Sequence, residues 1–259
     1  MSVQPIGIFD SGVGGTSIWK EIHAMLPYEN TIYLADSVNA PYGLKSKEQI
    51  IELCVKNSEL LIQKGCKIVV VACNTATTNA IDFLRKNYKL PFIGIEPAIK
   101  PAALNTKTNA IGILATKGTL SSSLFNQTSG QFATDVNVIE QHGDGIVELI
   151  ESGLLESDAM RDLLNRYMEP MLNAQIDYLV LGCTHYPYLI PLLLDILPPS
   201  VKIIDSGEAV ARQTKAVLQQ HNLLNNKTSN PKLEFFTNGS TRVLQALVGD
   251  FSDPKYLSF

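Results

Sequence analysis

Two cysteines stand in matching positions, and their setting suggests a chemistry. Cys73 ends the apolar run IVVVAC and is followed by Asn74 and Thr75; Cys183 ends YLVLGC and is followed by Thr184 and His185. A residue between a strand and a helix N-terminus meets free backbone N–H groups and the positive end of the helix dipole, and both stabilise a thiolate. A thiolate whose pKa falls from about 8.5 is a workable base. Two such groups on opposite sides of one carbon can take a proton from one face and deliver another to the other face. That inverts a stereocentre, and the roles swap with direction. The α-proton of an amino acid is a poor acid, so the site must also stabilise developing negative charge, a task for backbone N–H groups and hydroxyls. Packing is the alternative for either cysteine alone, because Cys is among the most buried residue types. The duplicated context favours chemistry for the pair.

Other polar residues suit a small anionic substrate. Asp10 and Ser11 end the first apolar run, Asn74, Thr75 and Thr184 flank the cysteines, and Pro41-Tyr42-Gly43 forms a turn after Asp36. Asp10 beside one thiol and His185 beside the other are placed to orient them or adjust their protonation. Each of these residues would also serve as a helix cap or turn former. Cys54 lies on the apolar stripe of a helical segment and Cys66 precedes a strand, so both read as structural, and Trp19 reads as packing. His23 and His221 fall in helical segments and His142 in a loop-like stretch; nothing links them to the cysteines.

The elements that must position these residues are legible from periodicity. Short apolar, β-branched runs predict strands at Ile6–Phe9, Thr31–Ala35, Ile68–Ala72, Phe92–Ile95, Ala110–Leu114, Tyr178–Gly182 and Lys202–Asp205. Between them, Lys47–Lys64, Thr77–Tyr88, Ser157–Asn173 and Glu208–His221 predict helices; Ile50, Ile51, Cys54, Leu60 and Leu61 recur at helical spacing in the first. Strands apolar on both faces, alternating with helices, mean parallel sheets covered on each side, so the fold class is α/β.

The chain also echoes itself. IGIFDSGVGGTS begins at Ile6 and IGILATKGTLSS at Ile111, while VVVACNTAT carries Cys73 and YLVLGCTHYP carries Cys183, at nearly the same offset. This predicts two similar, pseudo-symmetric α/β domains. IIDSG at 203–207 resembles IFDSG, which brings the chain back to the first domain. The expected division is 1–97 plus 207–259 for the first domain and 98–206 for the second. Ligands bind at the carboxyl ends of parallel strands, which puts both cysteines at the inter-domain cleft.

Composition narrows the classes. The 259 residues are 45% hydrophobic and 18% charged, with 21 basic against 25 acidic residues and a net charge of −4. That is a globular balance, with no dense basic run for nucleic acid or an anionic membrane. The N-terminus lacks the basic start and apolar stretch of a signal peptide, and no apolar run is long enough to span a bilayer. Four cysteines without a CxxC pair suggest reduced thiols, and a cytoplasmic location is expected.

Taken in order, IFDSGVGG at 8–15, PYG at 41–43, ACNTAT at 72–77, EPAIKPA at 96–102, ATKGT at 115–119, GCTHYP at 182–187 and IIDSGEAVA at 203–211 resemble the motifs of the glutamate racemase family. The resemblance implies interconversion of L- and D-glutamate without metal or cofactor, supplying D-glutamate for peptidoglycan. It implies Cys73 and Cys183 as catalytic residues and Asp10, Ser11, Tyr42, Gly43, Asn74, Thr75, Thr184 and His185 as substrate contacts. Thr116 and Thr119 match further polar positions. It implies two α/β domains with the active site between them, and it raises a homodimer and a cell-wall-precursor effector as partners. Two departures stand out. Ser37-Val38-Asn39-Ala40 replaces a stretch where many members carry Arg, and Glu151 lacks the Cys-Pro that precedes the matching Glu in many members, so the resemblance leaves the role of Glu151 open.

Three other readings compete. A sister racemase acting on aspartate would use the same thiols. A zinc hydrolase built on Cys73, Cys183 and His185 would need ligand spacings the sequence lacks. A nucleotide-binding module on SGVGGTS fits neither GxxxxGK[ST] nor GxGxxG, and its glycines read instead as allowing backbone approach to a small carboxylate.

Overall fold

A computed structural model of the protein describes residues 3–226 and 228–259. The first half runs β1 (Ile6–Asp10), α1 (Thr16–Met25), β2 (Thr31–Ala35), α2 (Lys47–Gln63), β3 (Ile68–Val71), α3 (Asn74–Asn87), β4 (Phe92–Gly94) and α4 (Ile99–Asn105). The second continues with β5 (Ala110–Ala115), α5 (Lys117–Leu120), α6 (Ser123–Phe132), β6 (Asn137–His142), α7 (Ile146–Glu151), α8 (Asp158–Asn173), β7 (Tyr178–Gly182), α9 (Ile190–Ile196) and β8 (Lys202–Ile204). The chain closes with α10 (Gly207–Gln220), β9 (Leu233–Thr237), α11 (Thr241–Val248) and β10 (Lys255–Tyr256).

These strands form two sheets, ordered β10-β9-β2-β1-β3-β4 and β6-β5-β7-β8, and the described pairings are parallel. The echo in the sequence is an echo in topology. β2-β1-β3-β4 and β6-β5-β7-β8 are the same arrangement, with the Ile6 and Ile111 strands equivalent and the two cysteine-bearing strands equivalent. The α/β class with paired pseudo-symmetric sheets is therefore as the sequence predicts.

Local chemistry explains the element ends. α2 starts at a capping box, in which Gln49 N donates to Ser46 Oγ and Ser46 N donates to the Gln49 side chain. Ser122 and Ser157 cap α6 and α8 by accepting from Phe125 N and Met160 N, without the reciprocal bond. The central strands β1, β2, β3, β5 and β7 are buried along their whole length, as sheets covered on both faces require. Trp19 packs inside, its ring N–H donating to Thr31 Oγ1 at 3.0 Å. One core cluster joins Ile8, Trp19 and Tyr33 of the first sheet's layers to Ile146, Leu179 and Tyr186 of the second's, so the halves are packed closed on each other.

Three strands escape the apolar-run criterion. β6, NVIEQH, is an edge strand with little burial, β9 carries Glu234, and β10 has only two residues. His142 accordingly ends a strand rather than lying in a loop. α3 begins at Asn74, not Thr77, because Cys73 itself serves as its N-cap, its sulfur accepting from Ala76 N at 3.4 Å. Among the described residues no helix is long and apolar enough to cross a membrane.

Candidate active site

In each sheet the strand order reverses at one point: β1 lies between β2 and β3, and β5 between β6 and β7. Crevices beyond the carboxyl ends of such strands are the natural ligand sites of open α/β sheets. Asp10 ends β1 and Cys73 follows β3 at one crevice; Thr116 follows β5 and Cys183 follows β7 at the other. The two crevices face each other. Thr184 Oγ1 donates to Asp10 Oδ1 across the cleft at 3.3 Å, and Thr75 Oγ1 meets Thr116 Oγ1 at 2.7 Å and Thr119 Oγ1 at 3.2 Å. Both thiols are covered, with Cys73 5% and Cys183 8% exposed, so the cleft is closed over them.

Although the strands are related by symmetry, the two sulfurs have different neighbours. The Cys73 S–H lies 3.6 Å from Ser11 Oγ, and the sulfur caps α3. Cys183 has no α-helix start beside it; β7 leads into a 3-10 turn at Tyr186–Leu189, and its sulfur lies 3.7 Å from His185 Nδ1. The far nitrogen of that ring, Nε2, donates to Glu151 Oε1 at 2.6 Å, and the same carboxylate oxygen accepts from Val13 N at 2.7 Å. Asp10 holds its own loop by accepting from Gly15 N at 2.9 Å and Gly12 N at 3.3 Å.

The electrostatics follow from closure. Burial pushes the Cys73 thiol well above its ordinary value, the Asp10 carboxylate adds to the rise, and the Ala76 N–H and Ser11 hydroxyl pull against it. The depressed thiol expected at a helix start is thus overridden while the cleft is shut, because desolvation outweighs the helix end. Burial raises Asp10 to about 6, opposed by His185 and the Gly15 N–H. For His185, burial alone would lower the pKa, but its bonds to Cys183 and Glu151 and their charges carry it well above the ordinary value. Burial also raises Cys54 and Cys66; the Asp36 carboxylate adds to the rise at Cys54, and at Cys66, pushed up to about 12, the Lys64 ammonium opposes it. All four thiols are free.

Asp10, Ser11, Asn74, Thr75, Thr184 and His185 therefore meet at one cleft. Neither end of the buried Asn74 amide has a hydrogen-bond partner among the described residues. An unsatisfied buried amide costs about 1–3 kcal/mol, a cost that a bound polar ligand would remove. Tyr42 is placed differently. Its hydroxyl donates to Asp36 Oδ2 at 2.5 Å and accepts from Asn57 Nδ2 at 3.1 Å, and its side chain is buried in the core of the first half. Gly43 abuts the opposite half so closely that a Cβ there would stand 3.1 Å from Thr116 Cβ.

Sequence reasoning undervalued Glu151, which seats His185. Glu151 ends α7, and its partners Val13 and His185 are distant in sequence, so no local pattern assigns it to the cleft. The glycines of SGVGGTS also serve a carboxylate, though one within the chain: a Cβ at Gly12 would collide with Glu151. Among the described residues no group of three His, Cys, Asp or Glu could hold a metal ion.

Paired parallel α/β sheets that share one strand order, with a cysteine after the equivalent strand of each, define a duplicated, pseudo-symmetric α/β protein. Residues 6–214 match the family described as Asp/Glu/Hydantoin racemase. The chain belongs to that family, and its relatives place it among the glutamate racemases. A glutamate racemase of Herpetosiphon aurantiacus is 47% identical over 92% of this chain and 94% of its own. The crystal structure of Escherichia coli glutamate racemase in complex with L-glutamate and the activator UDP-MurNAc-ala has a TM-score of 0.88 at 34% identity, covering 98% of each chain. A glutamate racemase isoform from Bacillus anthracis has a TM-score of 0.87 at 31% identity, covering 98% of this chain and 97% of its own.

Proposed function

We propose that this chain interconverts L- and D-glutamate by two-thiol proton transfer, without metal or cofactor, and so supplies D-glutamate for peptidoglycan. The observation that carries it is the pairing of Cys73 and Cys183 at equivalent switch points bridged by the Asp10–Thr184 hydrogen bond. With glutamate between the sulfurs, Cys183 takes the α-proton of the L-enantiomer while the Cys73 S–H delivers a proton to the opposite face; the reverse direction exchanges the roles. His185 accepts the Cys183 S–H proton to leave a thiolate and returns it after turnover, and Asp10 exchanges a proton with Cys73 in the same way. Asn74, Ser11, Thr75 and Thr184, with the backbone of Tyr42 and Gly43, bind the carboxylates and ammonium. The E. coli relative's activator supports an effector of the same cell-wall-precursor class here.

The direct test is circular dichroism of the purified protein against a panel of L-amino acids without added cofactor. The signal of L-glutamate should decay to zero, and solvent deuterium should appear at its α-carbon. Decay of L-aspartate but not L-glutamate would move the reading to a sister racemase, and loss of activity to a chelator would favour metal chemistry.

Asp10 separates activity from stability. Its folded pKa of about 6 exceeds the ordinary 3.8, so the folded state binds its proton more tightly than the unfolded chain does. The sign is the reverse of a salt-bridged carboxylate: stability from this group falls as pH rises through that window, by up to about 3 kcal/mol, and stays lost above it. Asp10→Asn can still accept from Gly15 N, so above pH 6 it should unfold at a higher temperature than the parent while racemising more slowly. A lower melting temperature at pH 8 would show that the buried charge is compensated.

A further inference from the structure

We infer that Thr16 and Ser17, at the start of α1, are positioning residues that clasp the Cys183 loop from the opposite half of the molecule. The inference deepens the proposed reaction and its catalytic part rests on that reading.

The loop Cys183–Tyr188 leaves β7 without entering an α-helix, so its backbone polar groups are not all met by regular structure. Two of its polar groups reach across to α1. Ser17 Oγ donates to the carbonyl of Thr184 at 2.8 Å, one peptide unit from Cys183. The Tyr188 hydroxyl lies 2.6 Å from Thr16 Oγ1. Because Thr16 Oγ1 already donates its proton to Val13 O at 2.6 Å, Tyr188 must be the donor. Lys20, one turn on, sets its ammonium 5.0 Å over the Tyr188 ring. Thr16 is fully buried, and the stretch held between these contacts carries His185, with Cys183 directly before its first anchor at Thr184. The clasp joins the proton-transfer loop of one half to the helix that follows the Asp10 turn of the other. Closing the cleft and placing the second sulfur are therefore one event, and a displacement near 1 Å at such a group costs about 10²-fold in rate.

The test uses Ser17→Ala, Ser17→Thr and Tyr188→Phe, with two readouts. In the ligand-free protein, alkylation of Cys183 followed by peptide mass spectrometry should speed up about tenfold in Ser17→Ala, as expected for loss of one hydrogen bond, while Cys54 and Cys66 keep their rates. With glutamate, kcat should fall by a similar factor, KM should change little, and the α-deuterium isotope effect on kcat should grow as proton transfer becomes more limiting. Ser17→Thr, which keeps the hydroxyl, should restore both. Tyr188→Phe should show the same pattern. Unchanged Cys183 alkylation in both Ser17→Ala and Tyr188→Phe overturns the clasp, as does a loss of kcat with a constant isotope effect. Faster alkylation in a protein that does not racemise glutamate would instead leave the clasp standing and sink the proposed reaction.

Discussion

Cys73→Ala and Cys183→Ala should each lower glutamate racemisation by about 10³-fold or more, the scale of a positioned proton-transfer group. Because the two enantiomers are equal in free energy, kcat/KM must fall by the same factor in both directions whichever thiol is removed. What can differ is exchange. In deuterated water Cys183→Ala retains the sulfur that faces D-glutamate, so any residual α-deuteration should appear in the D-enantiomer without inversion, and Cys73→Ala should show the converse. Exchange of the same enantiomer by both variants would sink the assignment of faces. Cys54→Ala is the control: its thiol is buried on α2 and shares no hydrogen bond with the cleft residues among the described residues, so the rate should hold. An equal loss there would mean the chemistry belongs to other thiols.

Gly14→Ala should be nearly as damaging, with a different signature. A Cβ at Gly14 would sit 2.2 Å from His185 Nδ1 and 2.6 Å from the His185 main-chain nitrogen. The second contact is with backbone, so no rotamer change relieves it. The Asp10–Gly15 turn and the Cys183–His185 segment must separate, breaking the Glu151 seat and moving the second sulfur. We expect kcat to fall by about 10²-fold, with the far-ultraviolet circular dichroism preserved because the sheets themselves are untouched. Alanine at Gly130, where a Cβ meets nothing within 4 Å, should leave the rate as it was. Retention of full activity in Gly14→Ala would show that the reacting state is more open than the closed cleft described above.

Much of this architecture was legible in linear order. Buried parallel strands need apolar residues on both faces, so Ile6–Phe9, Ile68–Ala72 and Tyr178–Gly182 announced themselves, and the repeated IGI-turn and strand-Cys-Thr segments announced that the halves are alike. The cysteine pair and its flanking hydroxyls were legible because residues at strand ends are set by local backbone geometry. Strands β6, β9 and β10 were not, since an edge or part-exposed strand pairs through backbone and leaves little periodic trace. What the Tyr42 side chain does was equally hidden: its hydroxyl bonds Asp36, a partner that no local pattern assigns to it.

By itself, then, the order of residues determined the α/β class, the duplication and the two thiols with their polar company. Only the tertiary structure decided how unequal the thiols are: Cys73 is capped by its own helix and crowded by Asp10, while Cys183 is tied through His185 to Glu151. Those ties join residues as far apart as Val13 and Glu151, or Ser17 and Thr184. The reason is physical. Periodicity and capping depend on neighbours along the chain, whereas desolvation and charge depend on what packing brings within a few ångströms, and the closed cleft is where the two halves supply each other's missing partners.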